Sequence, residues 1–231
     1  MKNQWSRRFL LAAGLSFSLS QSVWGGLLCR LRNRRARRCR ASESSENKTA
    51  NWRSLFDGKS LGLWKKTNFG GEGEVHVADG RIQLDIGNPL TGVHYSGPLP
   101  KLDYEIELEA RRTAGIDFFC GLTFPVGQSH CSFIVAGWAG SVVGISSIDE
   151  KDASENATTK YMKFNDKQWY KIRVKVRKQS IEAWIDEKQV VNQDIRGKKL
   201  SLRVEVEPSK PLGICTFQTR AELRGLRIRK V

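Results

Sequence analysis

The chain has 231 residues, 39 Lys+Arg against 24 Asp+Glu, a formal charge of +15 and 39% hydrophobic residues, enough for one globular domain with a full core and an appendage. Residues 1 to 41 hold ten of the basic residues and no acid, so the remaining 190 carry 29 basic and 24 acidic residues, a charge of only +5. The high pI therefore belongs to a short arm, no specific nucleic acid is expected as partner, and three His with no C-x-x-C pair exclude a His-rich or zinc-ribbon centre.

In chain order, Lys2, Arg7 and Arg8 precede the apolar run Phe9 to Leu19, the n-region and h-region of a signal peptide over residues 1–26. Ser6-Arg7-Arg8-Phe9-Leu10-Leu11 resembles the twin-arginine export motif, which implies a periplasmic or cell-surface protein. The competing reading is a membrane anchor through residues 9–28, a stretch long enough to span but diluted by serines, glycines and Gln21. Seven arginines between Cys29 and Arg40 resist translocation and keep both topologies open. Residues 27–50 read as an Arg-rich arm and polar linker: Arg30 to Arg40 either grips an anionic surface or is a solvated, disordered arm, and Ala41 to Ala50 is the linker.

From residue 51 to 231 the dominant period is two. Asp103 to Arg111 puts Tyr104, Ile106, Leu108 and Ala110 on one face and Glu105, Glu107 and Glu109 on the other. Trp169 to Arg177 repeats the plan, with Tyr170, Ile172, Val174 and Val176 inside and Lys171, Arg173, Lys175 and Arg177 outside. Further strands are predicted at Glu74 to Ala78, Arg81 to Ile86, Ile181 to Asp186, Leu202 to Glu207, Gly213 to Thr219 and Leu223 to Lys230, separated by Gly, Pro and Asn turns. The fold class is all-β, an antiparallel β-sandwich or jelly roll. Its glutamate stripe is expected to pair across strands with the Lys171–Lys175 stripe, with Arg224, Arg227 and Arg229 on the same outer surface.

Cys120 and Cys131 flank the turn Phe124-Pro-Val-Gly127 and either form a disulfide or, with Cys215, are buried thiols. Asn47-Lys48-Thr49 and Asn156-Ala157-Thr158 fit N-glycosylation sequons.

Leu55-Phe56-Asp57-Gly58-Lys59-Ser60-Leu61, followed by Trp64, resembles the opening of a bacterial domain family described as 3-keto-disaccharide hydrolases. The resemblance continues at Glu74 to Leu84, Gln168 to Ile172, Ala183 to Asp186 and Leu226 to Arg229. It implies a concanavalin A-like fold and a carbohydrate-active hydrolase of 3-keto-glycosides. Thr113-Ala114-Gly115-Ile116 and Cys131-Ser132-Phe133-Ile134 stand where that family commonly has Asn-Ser-Gly-Ile and a Gly-Tyr-Glu strand.

A ketone at sugar C3 acidifies the C2 proton, so cleavage of such a glycoside needs a base near that proton and an electrophile at the ketone oxygen. His130 and Asp117, on the two arms of one hairpin, are the base candidates; His94 and His76 read as structural. Gly137 to Asn156 joins a Gly-rich aromatic turn to an acidic loop. Its Asp149, Asp152, Glu155 and Asn156 offer oxygens to sugar hydroxyls or a divalent cation, or form a solvated turn. Trp138 and Trp184 offer platforms for a sugar ring, Trp184 alternatively packing between elements. Asp149 and Glu155 join the catalytic candidates; Trp138, Asp152, Asn156 and Trp184 are substrate-binding candidates. The expected partner is a saccharide or oxidised glycoside. Two alternatives stand beside hydrolysis: a non-catalytic carbohydrate-binding or cell-surface module, and adhesion through Arg30 to Arg40. Convergence of Asp117, His130, Asp149 and Glu155 in one pocket separates enzyme from module.

Overall fold

The computed structural model describes residues 51–231. The leader expected over residues 1–26, the alternative anchor over residues 9–28 and the Arg-rich segment and linker of residues 27–50 lie outside the described residues. In the described part no helix is long and apolar enough to cross a membrane.

Fifteen strands follow one another among the described residues. The first five are β1 (Arg53–Ser54), β2 (Trp64–Lys66), β3 (Val75–Ala78), β4 (Arg81–Leu84) and β5 (Leu90–Tyr95). The next five are β6 (Tyr104–Ala114), β7 (Cys120–Val126), β8 (Ser129–Ala136), β9 (Val142–Ser146) and β10 (Lys160–Tyr161). The last five are β11 (Tyr170–Val176), β12 (Ser180–Ile185), β13 (Lys188–Asp194), β14 (Gly213–Phe217) and β15 (Arg220–Lys230). They form two antiparallel sheets. The first runs β13-β12-β11-β6-β15-β4-β3, with β1 also on β15; the second runs β10-β9-β8-β7-β14-β5-β2. This is the jelly-roll sandwich expected from the period-two pattern.

The core lies between the sheets, and alternation decides what enters it. Tyr104, Ile106, Leu108 and Ala110 of β6 and Tyr170, Ile172, Val174 and Val176 of β11 are all buried there, facing Leu122, Phe124, Phe133 and Ile145 of the second sheet. Trp64 caps one end with its indole N–H donating to the Leu55 carbonyl at 2.8 Å. In the opening Leu-Phe-Asp-Gly-Lys-Ser segment, the Asp57 carboxylate accepts the amides of Lys59 and Ser60, closing the turn that leads to Trp64.

The outer face of the first sheet carries the paired charge stripes. Register sets Glu109 between Lys171 and Arg224, Glu107 between Arg173 and Arg227, and Glu105 between Lys175 and Arg229. Glu105 is 3% exposed and takes Arg229 at 2.5 Å and Arg173 at 3.5 Å. Arg227 pairs with Glu107 at 2.5 Å and Arg224 with Glu109 at 2.9 Å, whereas Lys171 turns to Glu187. Guanidinium groups also lie over the rings of Trp52, Trp169 and Trp184, which shields the indoles while leaving the cations at the surface.

One expectation is corrected. Leu202 to Glu207 is not a strand: Val204–Ser209 forms a 3-10 turn, in which Val206 is buried and Val204 is 79% exposed. Val-Glu-Val-Glu alternates, but Pro208 cannot donate to a ladder, and a single apolar anchor suffices for one tight turn. Of the two cysteine alternatives the structure takes the buried thiols, because the hairpin turns after Val126. That register sets Cys131 opposite Phe124 and Cys120 opposite Val135. All three cysteines are free and buried; burial pushes the Cys131 and Cys215 thiols up to about 12 and Cys120 higher still.

Glu105→Ala, which strands two arginines, is expected to cost roughly 2 to 4 kcal/mol in urea unfolding. Glu109→Ala, at a more exposed pair, should cost less than about 1 kcal/mol, so equal costs would contradict the burial argument. In a C29S/C39S background, thiol-labelling reagents should modify none of the three remaining cysteines in the native protein and all three after denaturation.

Candidate functional site

Small residues on the outer face of the second sheet allow other segments to lie on it. A Cβ at Gly213 would sit 2.4 Å from the Ser209 carbonyl, and one at Gly144 would sit 2.9 Å from that of Ala153. The 204–209 turn and the 153–158 loop therefore cover two parts of this face at backbone distance. Val206 packs with Leu90 and Cys215, Ala153 packs with Ile134 and Val142, and Phe118 touches both clusters.

Between the two covers opens a cleft of about 330 Å³. Its apolar lining includes Phe118, Phe217, Trp138, Ile134, Leu90 and Val206, and its polar lining is Asp117, Arg203, Glu205 and Ser146. The rings of Phe118 and Phe217 pack at 5.9 Å between centroids.

The wall carrying Trp138 is a strained turn. Ala136, Trp138 and Ala139 all have left-handed φ, at 66, 49 and 62°, and Gly140 follows at 96°. Such conformations are costly for residues with a Cβ and persist only where neighbours fix them. Asp117 does so: one carboxylate oxygen accepts the Ala139 amide at 2.9 Å, the other that of Phe118 at 2.7 Å. The result holds Trp138 at the cleft, 40% exposed. Across from it, Arg203 donates to Asp152 at 3.0 Å and to Glu205 at 3.0 Å. The hydrogen bond from Arg203 holds the Glu205 carboxyl below its ordinary value.

Of the residues singled out from sequence, Asp117 and Trp138 line this cleft, and Asp152 reaches it only through Arg203. The others lie elsewhere. His130 is opposite Pro125 at the far end of the β7–β8 hairpin, roughly 20 Å from Asp117 at about 3.3 Å per strand residue. Asp149 is engaged by the Lys198 ammonium at 2.8 Å and the Lys199 amide at 2.9 Å, and Lys198 holds its carboxyl low. Glu155 is exposed. The Asn156 side chain donates to the carbonyls of Ile145, Lys151 and Asp152 and accepts from the Thr158 amide and hydroxyl. It is the internal tie of the loop, and the same contacts account for its Asn-Ala-Thr sequence. Trp184 stands on the outer face of the first sheet beneath Arg173, 3.9 Å from guanidinium to ring. Asp117, His130, Asp149 and Glu155 thus share no pocket, and the described residues contain no group of three His, Cys, Asp or Glu that could hold a metal.

Phe118, Phe217, Arg203 and Glu205 escaped the sequence reading. Phe217 left a signal, since Gly213 to Phe217 alternates so as to send a large aromatic ring away from the core. Arg203 and Glu205 were hidden by the false strand.

A family profile described as 3-keto-alpha-glucoside-1,2-lyase-like domain matches residues 51–229. Among solved structures, the apo Crh5 transglycosylase is similar at 10% identity, covering 79% of this chain and 84% of that one with a TM-score of 0.54. A β-glucanase from Bacillus licheniformis is 10% identical over 79% of this chain and 98% of that one, at 0.51. A carbohydrate-binding module from Bacillus subtilis is 10% identical over 73% and 96%, at 0.50. These likenesses are of fold. A search of curated proteins finds no match.

Burial, with Lys210 beside it, holds the His130 imidazole below its ordinary value, and burial does the same to His94. The unfolded chain, titrating near about pH 6.5, therefore takes up these protons first as pH falls. Stability should be full above that pH and decline from about pH 6.5 towards 5, before carboxylates titrate. Urea melts of His130→Asn should show a flatter decline, with His94 carrying the remainder; an unchanged slope would contradict it.

Proposed function

Because the chain belongs to the family of 3-keto-α-glucoside-1,2-lyase-like domains, a jelly-roll group that acts on or binds carbohydrate, we propose that the cleft holds a saccharide and that the domain works as a binding module. What carries the reading is the strained turn that Asp117 clamps, which spends backbone energy to hold an indole beside Phe118. An aromatic platform with a few convergent polar groups suits a sugar ring, whose axial C–H faces are apolar and whose edges carry hydroxyls. Arg203 and Glu205 are placed to meet those hydroxyls. The twin-arginine-like leader supports a site of action outside the cytoplasm.

A second reading, elimination on a 3-keto-glycoside, has one observation in its favour: Glu205 and Arg203 stand together at the cleft. Glu205 would take the C2 proton, the C–H electrons would form the C1–C2 double bond and expel the C1 substituent, and Arg203 would stabilise charge on the ketone oxygen. The same pairing opposes it, since a carboxylate held below its ordinary pKa is a poor base.

Calorimetry of the full chain against glucosides and their 3-keto forms, run beside a product assay, separates the two. Binding without turnover is expected, and Trp138→Ala should weaken it by about tenfold or more, the scale of roughly 1.4 kcal/mol. Turnover abolished by Glu205→Gln would establish the elimination instead.

A further inference from the structure

The polar groups of the cleft are largely committed before any ligand arrives. Both Asp117 oxygens take backbone amides. Two guanidinium nitrogens of Arg203 are held by Asp152 and Glu205. The Ser146 hydroxyl lies 3.3 Å from that of Ser147. The apolar surface, by contrast, is free, with Phe118, Phe217, Trp138 and Val206 all bordering the space.

Two exposed apolar residues adjoin cleft residues in the chain. Ile116, 73% exposed, precedes Asp117, and Val204, 79% exposed, stands between Arg203 and Glu205. The Ile116 backbone touches the Trp138 turn, for a Cβ at Gly140 would come within 2.6 Å of its carbonyl. Exposed apolar side chains gathered at a concave site mark where a ligand covers them. An oligosaccharide carries more hydroxyls than Arg203 and Glu205 can serve, and those laid over the aromatic lining would be buried without partners, which costs affinity. A sugar joined to a flat apolar group meets both requirements.

We propose that the cleft selects aryl glycosides, the sugar against Arg203 and Glu205 and the aromatic aglycone against Phe217 and Phe118. This rests on the saccharide-binding reading and narrows it to a ligand class.

The test is calorimetry on the full chain with matched 4-nitrophenyl and methyl glycosides of glucose, galactose and mannose in both anomers, and with 4-nitrophenol alone. For at least one sugar, the aryl glycoside should bind about tenfold or more tighter than its methyl partner and than the free phenol. Phe217→Leu, which removes an aromatic ring from the lining, should shrink the aryl-to-methyl ratio. Equal aryl and methyl affinities would overturn the aglycone preference and leave saccharide binding standing. Nitrophenol binding as tightly as the glycosides, or no glycoside binding at all, would overturn both.

Discussion

Two glycines on the outer face of one sheet govern what this domain can bind. Backbone can approach backbone only where no Cβ intervenes, and Gly213 and Gly144 provide that over β14 and β9. The 204–209 turn settles on the first and the 153–158 loop near the second, and the cleft opens between the covers. Asp152 on one cover holds Arg203 beside the other. A larger residue at either glycine would lift its cover, move Arg203 and change the cleft without touching any lining side chain. The form of the cleft is thus set partly by residues that do not line it.

The two outer faces solve different problems. On the first sheet, glutamates alternate with lysines and arginines across three strands, and guanidinium groups cover the three indoles. Charge is balanced and aromatic surface is screened there, leaving little for a ligand to gain. Among the described residues no guanidinium lies over Trp138 in the way one lies over Trp184, and the cleft it borders is lined by Phe118, Phe217 and Ile134 as well as Arg203. The same residue type is therefore structural on one face and available on the other. What distinguishes the two is whether a guanidinium already occupies the ring.

This explains how much of the molecule could be read from its residues. Strand alternation is a local signal, and with it came the faces of β6 and β11 and the placing of the glutamate and arginine stripes on one outer surface, because register in a sandwich is pinned by which residues must be buried. The partners differ, since Glu107 and Glu109 pair with Arg227 and Arg224 while Lys171 and Lys175 turn to Glu187 and Glu182. The site depends on encounters between distant segments. Asp117 was legible as an acid but not as the acceptor for Ala139, and Asn156 looked like a sugar ligand because nothing local reveals that its amide serves three carbonyls of its own loop. Leu202 to Glu207 shows the reverse error, in which period two was present but a proline and a single buried valine made a turn. Each misplacement traces to a polar side chain whose partners lie more than a few residues away, or to a segment too short for periodicity to decide.

Family membership and a shared fold leave the chemistry open, since catalytic and binding domains use the same sandwich. The deciding quantity is the basicity of the carboxylates at the cleft. Proton abstraction from carbon needs a base whose pKa lies near the working pH, usually reached by burying a carboxyl away from cations. Here Glu205 is exposed beside Arg203, while Asp117 gives both oxygens to amides that hold a strained turn. An elimination at this cleft would have to proceed with Glu205 paired to Arg203, so the arginine at the edge of the site is the group that decides between binding and chemistry.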